Sequence, residues 1–140
     1  MTRSEIEALL EKHRESFARR DAAALAAGHA EDGTFESPAH GVVRGRKGIL
    51  GVYNYWFEAF PDLVLTWDSV VVDEDRAALF WTFDGTTRGP FFGVARTGTR
   101  VTMIGAADYR FANGEITSVR HVFDFSGMLI RTGVLKAKPE

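Results

Sequence analysis

The chain has 140 residues, 45% hydrophobic and 26% charged, with 17 basic against 19 acidic side chains and a formal net charge of −2. That balance describes one globular domain, residues 1–140, able to bury a core without disulfides or metals, and it argues against nucleic-acid and membrane partners. There is no cysteine for thiolate chemistry and no apolar run of membrane-spanning length; a start charged from the third residue, without a secretory core, points to the cytoplasm.

Residues 4–20 carry Ile6, Leu9, Leu10, His13 and Phe17 at helical spacing, with a capping box at Ser4/Glu7 or, equally, Thr2/Glu5. His13 lies on the apolar stripe, the position of a core histidine with its polar edge bonded. Asp21 reads as the N-cap of a short alanine-rich helix to about Ala30, with His29 complementing the helix end, and Asp32-Gly33 reads as a turn. Thr34–Ser37 is a short strand stopped by Pro38, and AHGVVRGRKG is a loop. A helix over about 47–60 follows, with an aromatic stripe of Val52, Tyr53, Trp56, Phe57 and Phe60, ended by Pro61-Asp62. From Leu63 the chain alternates as strands: 63–73, 76–85, a glycine-rich hairpin region, 99–111 and 116–125. Helices segregated from a meander of four or five antiparallel strands give an α+β domain, a curved sheet covered on one face.

The last strand, ITSVRHVFDF, is the most informative. Val119, His121, Phe123 and Phe125 share one parity, while Ser118, Arg120, Val122 and Asp124 share the other. A strict two-residue Asn113-Gly114 turn would mix polar and apolar residues on both faces. A three-residue turn with a bulge pairs Ala107 with Val119, Gly105 with His121 and Met103 with Phe123, and separates the faces. His121 is then the inner-face group that titrates near neutral pH, and Gly105 and Ala107 leave space beside it for a ligand pocket. Asp124 falls on the polar face, paired with Arg120 or capping the segment after the strand.

Other chemistries find little support. The histidines at 13, 29, 40 and 121 show no metal-ligand spacing, RGRKG lacks the Walker pattern, and no nucleophile elbow is present. No metal and no cofactor are expected.

The run FDGTTRGPFFGVARTGTRVTMIGAADYRFANGEITSVRHVFDFSGMLIRTGVL, with FESPAHGVVRGRKGI and PDLVLTWDSVVVDEDRAALFWTF before it, resembles the SnoaL-like polyketide cyclases of the nuclear transport factor 2-like superfamily. The resemblance covers nearly the whole chain. It implies a cone-shaped α+β barrel, a curved antiparallel sheet wrapped around about three N-terminal helices, with a pocket inside the cone. It also implies a homodimer through the outer sheet face. Ketosteroid isomerases of this fold place a tyrosine and two aspartates where this chain has His13, Ser37 and Ala107, so that mechanism does not carry over. The relatives that hydrolyse limonene epoxide place an aspartate at His121, and no Arg–Asp pair accompanies it here. In SnoaL-type cyclases the acid–base aspartate and its histidine fall on His121 and Ala107, a match in shape and not in catalytic residues.

The expected function is therefore general acid–base catalysis in an apolar pocket, on a carbonyl compound of polyketide-like character: enolisation, aldol cyclisation, isomerisation or dehydration. His121 is the expected acid–base group, Glu36 a second candidate base, and Tyr53 a donor to a carbonyl oxygen. His13, Phe17, Ser37, Trp56, Trp81, Phe83, Met103, Tyr109, Val119 and Phe123 are the expected substrate-binding residues, holding a small apolar or aromatic molecule. The alternative is a non-catalytic small-molecule-binding or dimerisation module of the same fold.

Overall fold

In a computed structural model, residues 1–95 and 98–136 are described. Arg96 and Thr97, within the expected glycine-rich hairpin, and residues 137–140 lie outside that range.

Helix α1 (Arg3–Ala18) starts at Thr2, whose hydroxyl accepts from the Glu5 amide while the Glu5 carboxylate accepts from the Thr2 amide; the second of the two capping boxes is the one formed. Its buried stripe is Ile6, Leu10, His13 and Ser16. Helix α2 (Ala22–Ala27) is capped by Asp21 and stops three residues short of the expected end. The reason is that His29 opens a strand, β1 (His29–Ser37), and is fully buried rather than serving a helix terminus. The expected turn at Asp32-Gly33 is instead an irregularity in the register of β1.

The expected loop after Pro38 contains an edge strand, β2 (Gly41–Arg44), antiparallel to β1. Helix α3 (Arg46–Ala59) follows, then β3 (Val64–Asp73) and β4 (Arg76–Thr86). A two-residue hairpin, β5 (Pro90–Phe91) and β6 (Val94–Ala95), forms a separate small sheet before β7 (Arg100–Ala112) and β8 (Glu115–Phe123).

The main sheet has the order β2-β1-β8-β7-β4-β3. Its pairings are antiparallel except for β1 with β8, which is parallel, so the meander is joined to an N-terminal strand that propensity alone did not place. The curved sheet does not close into a barrel: β2 and β3 are its free edges. Helices α1 and α3 pack against its inner face, at β3 and at β1 and β2 respectively. Burial alternates along β4 and β7, with Ala77, Leu79, Trp81 and Phe83 inward beside Met103, Ala107, Tyr109 and Phe111. Among the described residues no helix is long and apolar enough to cross a membrane.

The β7–β8 hairpin separates the two faces as expected, but by a different register. Ala112 pairs with Glu115 and Phe111 with Ile116 across a two-residue turn, with Asn113 (φ 52°) and Gly114 (φ 77°) both left-handed. A bulge then inserts Thr117, after which Arg110 faces Ser118 and Ala107 faces His121. The expected pairing was thus two residues out, a shift that leaves every side chain on the same face. His121 lies beside Ala107, and Gly105 lies beside Phe123.

The last strand ends at Phe123. The Asp124 side chain accepts from the Gly127 amide at 2.9 Å and caps a fourth helix, α4 (Phe125–Arg131). Replacing Asp124 by alanine should cost about 1 kcal/mol and lower the melting temperature by about 3 °C, measurable by scanning calorimetry.

Candidate functional site

Between α1, α3 and the inner face of the sheet lies an open-mouthed cavity. Helices supply Phe17, Val52, Tyr53, Trp56 and Phe57; β1 supplies Phe35 and Ser37. Trp81, Phe83, Met103, His121 and Phe123 come from β4, β7 and β8, with Leu63 and Leu65 at the start of the sheet. Among the described residues, none lining it is an aspartate, glutamate, lysine or arginine.

The placement of the expected residues divides cleanly. Phe17, Ser37, Tyr53, Trp56, Trp81, Phe83, Met103, Phe123 and His121 meet at the cavity. His13, Tyr109 and Val119 do not line it. They pack beneath it, each no more than 4% exposed, with the Tyr109 ring 6.2 Å from His121 and 5.7 Å from His13. Glu36 points the other way. Alternation along β1 turns Phe35 and Ser37 inward and Glu36 outward, where the Arg120 guanidinium opposite it lies at 3.2 Å. Phe35, Val52, Phe57, Leu63 and Leu65 were not anticipated as lining residues, although the parity of Phe35 with Ser37 and the helical stripe of Val52 and Phe57 mark those three.

The space expected beside Gly105 is not open to a ligand. Trp81 faces Gly105 across the β4–β7 pair, and a Cβ at Gly105 would lie 2.3 Å from the indole Cζ2. The indole crosses β7 over this glycine and donates its N–H to His121 Nδ1 at 3.2 Å. Phe35 packs on the other side of the imidazole at 5.1 Å between ring centroids. His121 Nε2 has no hydrogen-bond partner among the described residues, and it is not one of their sealed, unpartnered polar atoms, so it is the edge offered to the cavity.

The other polar groups are committed to neighbours. The Tyr53 hydroxyl is 2.8 Å from His29 Nε2. The Trp56 indole donates to His40 Nε2 at 2.9 Å, and the Ser37 hydroxyl oxygen accepts from the His40 amide. Below the cavity, His13 Nε2 and His29 Nδ1 are buried without partners among the described residues.

Burial sets the charge state of the site. It lowers His121 to about 4, with His29 adding to the effect, so the ring is neutral at pH 7 and not poised near 6.5 as the sequence implied. Burial likewise takes His13 to about 3, and burial with the nearby Arg46 takes His29 to about 4. Tyr53 is raised well above the ordinary phenol value, first by burial and then by Tyr109, and stays protonated. The cavity therefore presents neutral rings and neutral hydrogen-bonding edges, a surface suited to a flat apolar molecule with few polar atoms. Among the described residues no group of three or more His, Cys, Asp or Glu side chains is arranged to hold a metal ion.

No curated protein matches the chain. Among solved structures it is similar to AclR of Streptomyces galilaeus, a proposed hydroxylase, at 28% identity and a TM-score of 0.83 over 99% of this chain and 87% of that one. It is also similar to IdmH of Streptomyces antibioticus, a proposed polyketide cyclase, at 27% identity and a TM-score of 0.76 over 91% and 97%. An NTF2-like protein from Burkholderia pseudomallei, at 19% identity and a TM-score of 0.79 over 94% and 98%, shares the fold. The family model for the SnoaL-like polyketide cyclases matches residues 7–130, which takes in every element from α1 into α4, and the chain belongs to that family.

Proposed function

We propose that this protein is a cofactor-independent enzyme acting on a flat, largely apolar carbonyl compound of polyketide-like character, through enolisation and the aldol, isomerisation or dehydration steps to which an enolate leads. The observation that carries the reading is a cavity walled by aromatic and aliphatic side chains into which one imidazole edge, His121 Nε2, is offered without a partner among the described residues. A carbonyl oxygen hydrogen-bonded there gains stabilisation as charge collects on it in the enolate-like transition state, while the α-proton passes to a solvent water entering through the cavity mouth. Ser37 and Tyr53 line the same cavity with their hydroxyls bonded to His40 and His29, which leaves His121 Nε2 as the principal polar contact for the substrate.

The test uses 1-(2-naphthyl)butane-1,3-dione labelled with deuterium between its carbonyls. The protein should accelerate loss of the label to water, and the compound should shift the ring resonances of Trp81, Phe35 and His121. Binding at those rings without accelerated exchange would establish the second reading, a small-molecule-binding module, which the lack of a carboxylate among the described lining residues favours. Shifts confined to residues outside the cavity would sink both.

We propose in addition that the outer face of the sheet pairs with a second copy. Phe80, Ala106 and Val122 form a row across β4, β7 and β8, with Phe80 and Val122 half-exposed, and Ile104 beside them is 76% exposed. The ion pairs Arg76–Asp108, Arg100–Asp84 and Arg120–Glu36 rim this apolar centre, the layout of a protein interface. Sedimentation equilibrium should give a dimer that Ile104→Glu converts to monomer; a monomeric parent protein at tens of micromolar would refute the pairing.

A further inference from the structure

The crossing of Trp81 over β7 determines more than packing. An indole N–H only donates, so the His121 Nδ1 it reaches at 3.2 Å must be the accepting, unprotonated nitrogen. A neutral imidazole carries one N–H, and with Nδ1 occupied that hydrogen sits on Nε2. The edge facing the cavity is therefore a donor.

We propose that Trp81 is a positioning residue that locks His121 in its Nε2–H form, so that the cavity selects substrates presenting an acceptor oxygen to that edge and His121 serves as a hydrogen-bond donor instead of a general base. This rests on the cavity being a carbonyl-compound site, as proposed above.

Several elements enforce the lock. Trp81 on β4 and His121 on β8 are separated by β7, and side chains of ordinary size at Gly105 or Ala107 would stand between them. Glycine at 105 admits the indole: an added Cβ would meet Cζ2, Cη2 and Cε2 of Trp81 at 2.3, 2.5 and 2.7 Å. Phe35 at 5.1 Å and Tyr109 at 6.2 Å brace the imidazole from other sides, which disfavours a ring flip that would offer Nε2 to the indole. The titratable and charged groups that bear on the ring are few: His29 and His13 are its coulombic neighbours, both held neutral by burial, and the charges of β8 and β1, Arg120 and Glu36, pair on the far side of the sheet. A substrate presenting only a donor at this position, such as an ammonium group, would set donor against donor, whereas a ketone, enolate or quinone oxygen would be bonded.

The tautomer can be read with no ligand present, from two-bond nitrogen–proton correlations of the His121 ring in uniformly nitrogen-15-labelled protein at pH 7. The expected pattern is protonated Nε2 with a pyridine-like Nδ1. A protonated Nδ1, or an imidazolium, would overturn the assignment. Trp81→Phe should lose the single-tautomer signature, and so should Gly105→Ala, which displaces the indole without removing it. Retention of the signature in folded Trp81→Phe would show that Trp81 does not set it. For selectivity, 2-acetonaphthone should bind about three- to tenfold more tightly than 2-isopropenylnaphthalene, its hydrocarbon counterpart, and His121→Phe should abolish that ratio. An unchanged ratio in His121→Phe would overturn the donor role. Failure of both compounds to bind, with the tautomer as expected, would count against the proposed occupant of the cavity and leave the lock standing.

Discussion

His121→Phe should reduce protein-accelerated deuterium loss from the naphthyl diketone by about a hundred- to a thousandfold, the usual consequence of removing one donor to a developing oxyanion. Phenylalanine fits among Phe35, Trp81 and Tyr109, so the variant should remain folded, with a stability loss of roughly 1–3 kcal/mol from the Trp81 N–H left unpaired in a buried place. His121→Gln separates the donor role from that of a base. Its amide oxygen can accept from Trp81 while its amide nitrogen donates into the cavity, so activity should stay within about tenfold of the parent and keep the parent's pH profile. A base mechanism has no use for an amide, and loss of all activity in a folded Gln variant would argue for proton abstraction by the imidazole. The measurement is the exchange rate by proton NMR across pH 5–9, with the melting temperature of each variant as the control for folding.

Acid should unfold this protein well before its carboxylates are exhausted. His121 and His29 are held at about 4 and His13 at about 3, all chiefly by burial, against about 6.5 in an unfolded chain. Between those limits the unfolded state binds more protons than the folded one, so stability rises with pH through the window and falls as pH drops from about 6.5 towards 4. One imidazole moved from about 6.5 to about 4 is worth roughly 3 kcal/mol when fully realised, and the three lie close enough together to oppose one another's charging. Urea midpoints should therefore decrease steeply below pH 6, while the ring resonances of all three histidines stay at their neutral positions from pH 8 to pH 5. His13→Leu should flatten the dependence. The orphaned Nε2 of His13 makes the same change neutral or stabilising near pH 7, since no hydrogen bond at that nitrogen is lost. A midpoint that stays level between pH 7 and 4.5 would contradict the neutral burial of these rings.

The two-residue alternation of β7 and β8 was enough to sort their side chains between the faces, because a buried face tolerates only one parity. That is why the inner placement of His121 survives an error of two residues in the pairing. It is also why Glu36, within a short strand interrupted by an irregularity, could not be assigned a side from propensity alone. The helices were legible from their caps and stripes, yet the end of α2 was misplaced: Gly28 is its C-cap, and pairing with β8 overrides the helical preference of Ala30. His29 illustrates the limit: local sequence made it a helix terminus, and parallel pairing with β8 made it a buried partner of Tyr53.

What the sequence determined by itself is the α+β class, the single inner imidazole of the last strand, and the glycine and alanine on the strand beside it. Those come from periodicity and residue size, which are local properties. What only the tertiary structure decided is the use of that small-residue gap. Nothing local to residue 105 says whether a ligand or an indole fills it. The curvature of the sheet and the β4–β7 register bring Trp81 across the strand to His121, lowering the imidazole into the neutral state and turning its remaining proton toward the cavity. Contacts between residues 40 positions apart in the chain are not encoded in any window of it.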